Sequence, residues 1–172
     1  MQRVNATIRQ GYRVASGQAL AGADQRFNED GGTIHLQIPE FKKRGLDFDE
    51  YFEGLPGKAY VVGTLGCDIS PYVMHILRPE YHFVDVRWTE KFDHDIPGFK
   101  ENFFLSPAAV EFAGSGFKAL LYIPDPATKP DHFHPPSTIE VIAQKIPNVT
   151  YGDRVILSFN PAAIRLEMPK KI

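Results

Sequence analysis

The sequence is short of cysteine: Cys67 is the only one in 172 residues. One thiol cannot form an intramolecular disulfide, and it cannot build a cysteine-based zinc site. A reducing, cytoplasmic compartment is the expectation that follows. A basic excess is also missing, with 19 Lys and Arg against 21 Asp and Glu. Nucleic acids and anionic membranes are held by basic surfaces, so neither is expected as a partner. No apolar run reaches the ~18 residues of a membrane helix. The opening stretch, MQRVNATIRQGYRV, has no apolar core of signal-peptide length.

Room for long helices is scarce as well. Fourteen glycines and fourteen prolines interrupt the chain at short intervals, which suits short strands and turns. Strands are expected at Ile8 to Ala15, at 58–65, at 71–77 and at 81–88. Thr33 to Ile38 alternates, with Ile34, Leu36 and Ile38 on one face, and reads as a half-buried strand. In 81–88 the alternation puts His82, Val84, Val86 and Trp88 together. NFFLSPAAVEFAGSGFKALLYI reads as a hairpin turning at Gly114-Ser115-Gly116. TIEVIA, RVILSF and AIRLEM complete the strands, with Tyr151-Gly152-Asp153 as a turn.

One helix is expected, in PEFKKRGLDFDEYFEGL. Asp47 stands as its N-cap, and Phe48, Tyr51, Phe52 and Leu55 recur at helical spacing. About nine short strands without an internal repeat or a dividing linker imply one domain over 1–172. The fold class expected is mainly β, a small closed or nearly closed β-barrel with one short helix. Closure removes the exposed edges that so many apolar strands would otherwise carry.

Several residues are candidates for chemistry. Ser16, Gly17 and Gly22 lie in a small-residue loop whose backbone N–H groups can approach an anion, the alternative being a plain surface loop. No lysine follows at Walker spacing, so it is no P-loop. Glu140 interrupts an apolar strand. Alternation places it with Ile142, opposite Ile139, Val141 and Ala143. A buried lone carboxylate costs several kcal/mol unless it is paired. Glu140 therefore faces solvent, or is aimed at a ligand or a hydrogen-bond donor. Cys67 has no base at motif spacing and reads as a buried or turn residue. Asp93-His94-Asp95 reads as a solvated loop, and Trp88, Phe103 and Phe104 read as core.

The order of three stretches resembles the archaeal CTP-dependent riboflavin kinases, a family of cradle-loop barrels. GYRVASGQALAG is similar to that family's opening strand and nucleotide loop. IPEFKKRGLDFDEYFEG is similar to its helix and aromatic turn. The stretch from Pro107 to Leu157 is similar to its C-terminal half, with a hairpin, a threonine loop, a glutamate-bearing strand and a Gly-Asp turn. The resemblance implies a cradle-loop barrel whose partner is a small-molecule ligand, CTP with a divalent cation and a flavin. It implies nucleotide contacts at Ser16, Gly17 and Gly22, with Lys145 reaching a phosphate, and flavin contacts at Thr128 and Glu140. The family's magnesium-binding Gly-Thr-Leu-Asn is not matched, since EGLPGKAYV stands there. Phosphoryl transfer relies on that cation. Kinase activity would need other ligands, with Asp47, Asp49 and Glu53 as carboxylate candidates.

A rival resemblance exists. His132, His134 and Glu140 are similar to part of the cupin metal motif, and N/N/O ligation suits a transition metal. Pro135 and Pro136 interrupt the strand that should carry such ligands. A non-enzymatic interaction barrel is the third reading.

Overall fold

The computed structural model describes residues 1–9, 34–55, 64–87, 100–128 and 135–171. Its strands are β1 (Gln2–Arg9), β2 (Leu65–Asp68), β3 (Val73–Ile76), β4 (Tyr81–Val86), β5 (Glu101–Phe112), β6 (Ser115–Pro124), β7 (Thr138–Ala143), β8 (Arg154–Phe159) and β9 (Ile164–Glu167). Among the described residues two helices precede β2, α1 (Ile34–Lys43) and α2 (Phe48–Tyr51). No helix among the described residues is long and apolar enough to cross a membrane.

Six strands close into an antiparallel barrel in the order β1-β2-β7-β6-β5-β8, with β8 returning to β1. One alternate face of each strand fills the interior. Val4, Ala6 and Ile8 come from β1, Ile139, Val141 and Ala143 from β7, and Val155, Leu157 and Phe159 from β8. A barrel this narrow holds side chains and no lumen. The expected barrel is thus the observed one. The turn at Gly152-Asp153 is tied to β1, where Gly152 N donates to Ile8 O and Ile8 N to Asp153 O, at 2.8 and 2.9 Å.

The hairpin turns one residue earlier than expected. Phe112 pairs with Ser115, so Ala113 and Gly114 form the tip, both at positive φ (50° and 78°). That is the two-residue geometry whose twist matches its strands. β1 lies mostly ahead of the expected Ile8 to Ala15 strand, whose residues from 10 onward lie outside the described set. Most of the expected strand at 58–65 lies outside it too.

The main correction concerns 33–38. The expected strand is the start of α1, which runs on to Lys43 and encloses Pro39. Ile34, Gln37 and Phe41 are buried and Ile38 is half-buried, a helical i, i+3, i+4, i+7 face. Extending the window to Phe41 distinguishes that period from alternation. The single expected helix is therefore two. α1 ends at Gly45 (φ 104°), with Gly45 N donating to Lys42 O and Leu46 N to Phe41 O. This is the paired terminal arrangement that satisfies the last carbonyls of a helix. Asp47 then caps α2 as expected, accepting from the N–H groups of Asp49 and Glu50.

The helices cover the outer face of β5, β6 and β7. Phe41 packs against Phe83 and Phe103, each at 5.3 Å between centroids, and Phe103 lies 5.6 Å from Tyr122. β6 and β7 are thereby buried on both faces, which explains their near-continuous apolar runs. Tyr51 Oη donates to Ala119 O at 2.7 Å and fixes α2 to β6. β4 adds to the β5 edge, and Arg44 donates to the carbonyls of Val84 and Asp85 on it. A bulge between Phe83 and Val86 breaks the expected alternation of β4. Phe83 and Val86 are buried, while His82 and Val84 are exposed; Trp88 lies outside the described residues.

Candidate functional site

Alternation along β7 turns Ile139, Val141 and Ala143 into the barrel and leaves Thr138, Glu140 and Ile142 outside. Ile142 is covered by the aromatic cluster under the helices. Glu140, one pair of residues nearer the strand's start, stands between two neighbours. Tyr122 of β6 is its partner on one side and Gly66 of β2 on the other. Gly66 is buried and carries no side chain, so Tyr122 is the one cross-strand neighbour that sets a side chain beside Glu140. The hydroxyl of Thr64 donates to Glu140 Oε1 at 2.8 Å and orients it.

Glu140 opens on a cavity of about 430 Å³. Tyr122, Thr138 and Glu140 form its sheet wall, Ile123 and Pro124 at the end of β6 continue it, and Pro126 follows just past the strand. Opposite lie Met74, His75 and Ile76 of the β3–β9 ribbon, with Pro135 and Pro136 between. Three backbone bonds hold this proline corner in place. Met74 N donates to Pro136 O, Ile69 N to Ser137 O, and Thr138 N to Pro135 O, each at 2.8 Å. Prolines donate no backbone N–H, so the wall they form is apolar and rigid. The lining is mostly hydrophobic with a few convergent polar groups, as in small-molecule sites generally.

Tyr122 is itself held from behind. Its hydroxyl donates to Gln37 Oε1 at 2.6 Å, with both residues buried. Burial, and then the charges of Glu140 and Glu101, push its phenol well above the ordinary tyrosine range. It stays protonated at any ordinary pH. Cys67, inside the barrel, is likewise pushed up to about 12 by burial and by Glu140. A neutral, fully buried thiol is no nucleophile, in line with the sequence reading. His75 Nε2 lies 3.1 Å from a Glu167 carboxylate oxygen.

The expected site residues separate. Glu140 lies on the cavity wall. Thr128 is two residues from Pro126, and its hydroxyl accepts from Asn102 N at 2.9 Å and donates to Asp125 O at 3.2 Å. It closes the turn that carries Pro126 and is not among the lining residues. Lys145 is exposed past the end of β7 remote from Thr138, and the structure does not bring it to the cavity. Ser16, Gly17, Gly22, His132 and His134 lie outside the described residues, as do Asp93, His94 and Asp95. Among the described residues no group of three or more His, Cys, Asp or Glu is placed to hold a metal ion. Asp47, a carboxylate candidate for a divalent cation, is occupied by its helix cap and by Lys42 Nζ at 3.3 Å.

Sequence reasoning missed Tyr122 and Gln37, and it gave Thr64 and His75 no part in this site. Tyr122 is 18 positions from Glu140 along the chain, and only the β6–β7 register makes them neighbours. The prolines gave a signal, but as a loop and not as a wall. No protein-family model matches this chain, and no curated protein matches its sequence.

Proposed function

We propose that the chain is a riboflavin-kinase-like barrel that binds a flavin-type ring or a nucleobase in the cavity on Glu140, without phosphoryl transfer. The observation that carries this is the placement of Glu140. An oriented carboxylate sits in a wall made mostly of prolines and aliphatic residues, with Tyr122, Thr138 and His75 beside it. A carboxylate is acceptor-only and has about four lone-pair sites. It suits the ring N–H of a planar heterocycle whose faces meet apolar surface. The closed barrel is in keeping with the resemblance. Binding without transfer is favoured by the use of Asp47 as a helix cap and by the missing Gly-Thr-Leu-Asn segment. A cytoplasmic address, expected from the single cysteine, goes with this reading.

The test is a thermal-shift series with riboflavin, FMN, CTP and ATP. A ligand at 100 times its Kd adds ~2.7 kcal/mol, or about 5–10 °C for a chain of this length. A shift with riboflavin or a nucleotide that is lost in Glu140→Gln is the expected result. No shift with any of the four overturns the reading and leaves the interaction barrel ahead.

One observation favours a second reading, a metal-dependent enzyme using His132, His134 and Glu140. Pro135, the residue after His134, lines the same cavity as Glu140. Elemental analysis separates the two readings: a stoichiometric transition metal absent from a His134→Ala variant supports the second.

A further inference from the structure

The β3–β9 ribbon has an inner and an outer face. Met74, Ile76, Ile164 and Leu166 turn inward onto the barrel core. His75, Arg165 and Glu167 share the outer face. Glu167 lies 3.1 Å from His75 Nε2 and 3.7 Å from the Arg165 guanidinium. Met168, next along the chain, is 54% exposed.

The ladder also settles where the backbone groups point. Leu77 N donates to Ala163 O across the ribbon, and Met74 N donates the other way, to Pro136 O. In an antiparallel pair such groups alternate from residue to residue. The N–H and C=O of Ile164, Leu166 and Met168 therefore point away from β3. Among the described residues β3 is the only strand paired with β9. The edge of β4 differs, since it carries a bulge and Arg44 sits on the carbonyls of Val84 and Asp85. Bulges and covering groups keep a sheet edge from pairing.

Ile164-Arg165-Leu166-Glu167-Met168 is self-complementary about Leu166. An antiparallel copy centred there sets Leu166 against Leu166 and Ile164 against Met168, the positions whose N–H and C=O point outward. Arg165 of each copy then stands opposite Glu167 of the other, in the kind of pair whose side chains come closest. Like charges at 165 and 167 would repel a copy, whereas these opposite ones attract it. A carboxylate has about four lone-pair sites, so Glu167 can serve His75 and the second copy's arginine together.

We propose that the edge of β9 is a homodimer interface, where two copies of this chain join their ribbons into one four-stranded sheet across a two-fold axis. Such a contact is isologous and closes on itself.

Sedimentation velocity on the full chain tests this. A contact of this size belongs with the weak ones, so the chain is run at up to roughly 200 µM, where a dimer is expected. Arg165→Glu sets glutamate against glutamate, and Glu167→Arg sets arginine against arginine. Each should weaken dimerisation by about tenfold or more, because like charges across an interface are costly. An equal mixture of the two variants should dimerise again, since every cross-strand pair then has opposite signs. Circular dichroism checks that each variant is folded. Should either not fold, Met168→Pro removes an outward N–H at an exposed position and should weaken the dimer instead. A wild type that stays monomeric overturns the proposal. So does a dimer that the substitutions leave intact, or a mixture that stays monomeric.

Discussion

The hydrogen bond from Tyr122 to Gln37 joins the cavity wall to α1, and its removal tests both. The donor and acceptor lie 2.6 Å apart, and the two residues are 3% and 2% exposed. In Tyr122→Phe the ring stays in the wall while the Gln37 oxygen loses its phenol. A buried polar atom left unpaired costs roughly 1–3 kcal/mol. Gln37→Met leaves the phenol O–H unpaired in turn, at a similar cost. Replacing both partners by apolar groups of like shape is close to neutral. With each single at ~2 kcal/mol, the double variant should be less destabilised than the sum of the singles by up to about 4 kcal/mol. Each single loss of ~2 kcal/mol corresponds to about 4–8 °C in Tm at this chain length. Urea unfolding followed by circular dichroism measures all four proteins, and an unchanged slope confirms that stability alone has moved. Additivity within ~0.5 kcal/mol would refute the pairing.

Two further outcomes are expected. Ala113 holds φ 50° at the hairpin tip, beside Gly114 at 78°; an alanine there is strained by ~1 kcal/mol, which asparagine largely avoids. Ala113→Asn should raise Tm by about 2–4 °C, and an unchanged or lower Tm would count against the tip geometry. Cys67, with its thiol raised from 9.0 to about 12, should resist a disulfide reagent at pH 8 in the native state and react promptly in urea. Because the folded value lies above the unfolded one, its contribution to stability is complete below about pH 9 and fades as pH rises toward 12. Between pH 8 and 11 the wild type should lose stability more steeply than Cys67→Ala, and parallel curves would refute the assignment.

The local chemistry of the chain was enough to determine a good deal. Alternation in TIEVIA and RVILSF fixed which residues fill the barrel, because a strand has only two faces and one of them must be dry. Asp47 was legible as a cap because a helix start needs a side-chain acceptor two or three residues ahead of its first free N–H groups. Glu140 was legible as exceptional because an acid in an apolar strand needs a partner. The 33–38 segment was not legible in a six-residue window. Ile34 and Ile38 satisfy both a two-residue and a helical period; Phe41, which decides between them, lies beyond that window, and Gln37 declares itself only by what it touches. The tertiary structure alone decided that Tyr122 and Gly66 flank Glu140, that Thr64 orients it, and that two pairs of prolines wall its cavity. It also decided that Thr128 staples a turn and that Lys145 lies past the remote end of β7. Those are matters of strand register and chain closure. Register depends on pairings between segments far apart in the chain, so no short stretch of sequence carries it.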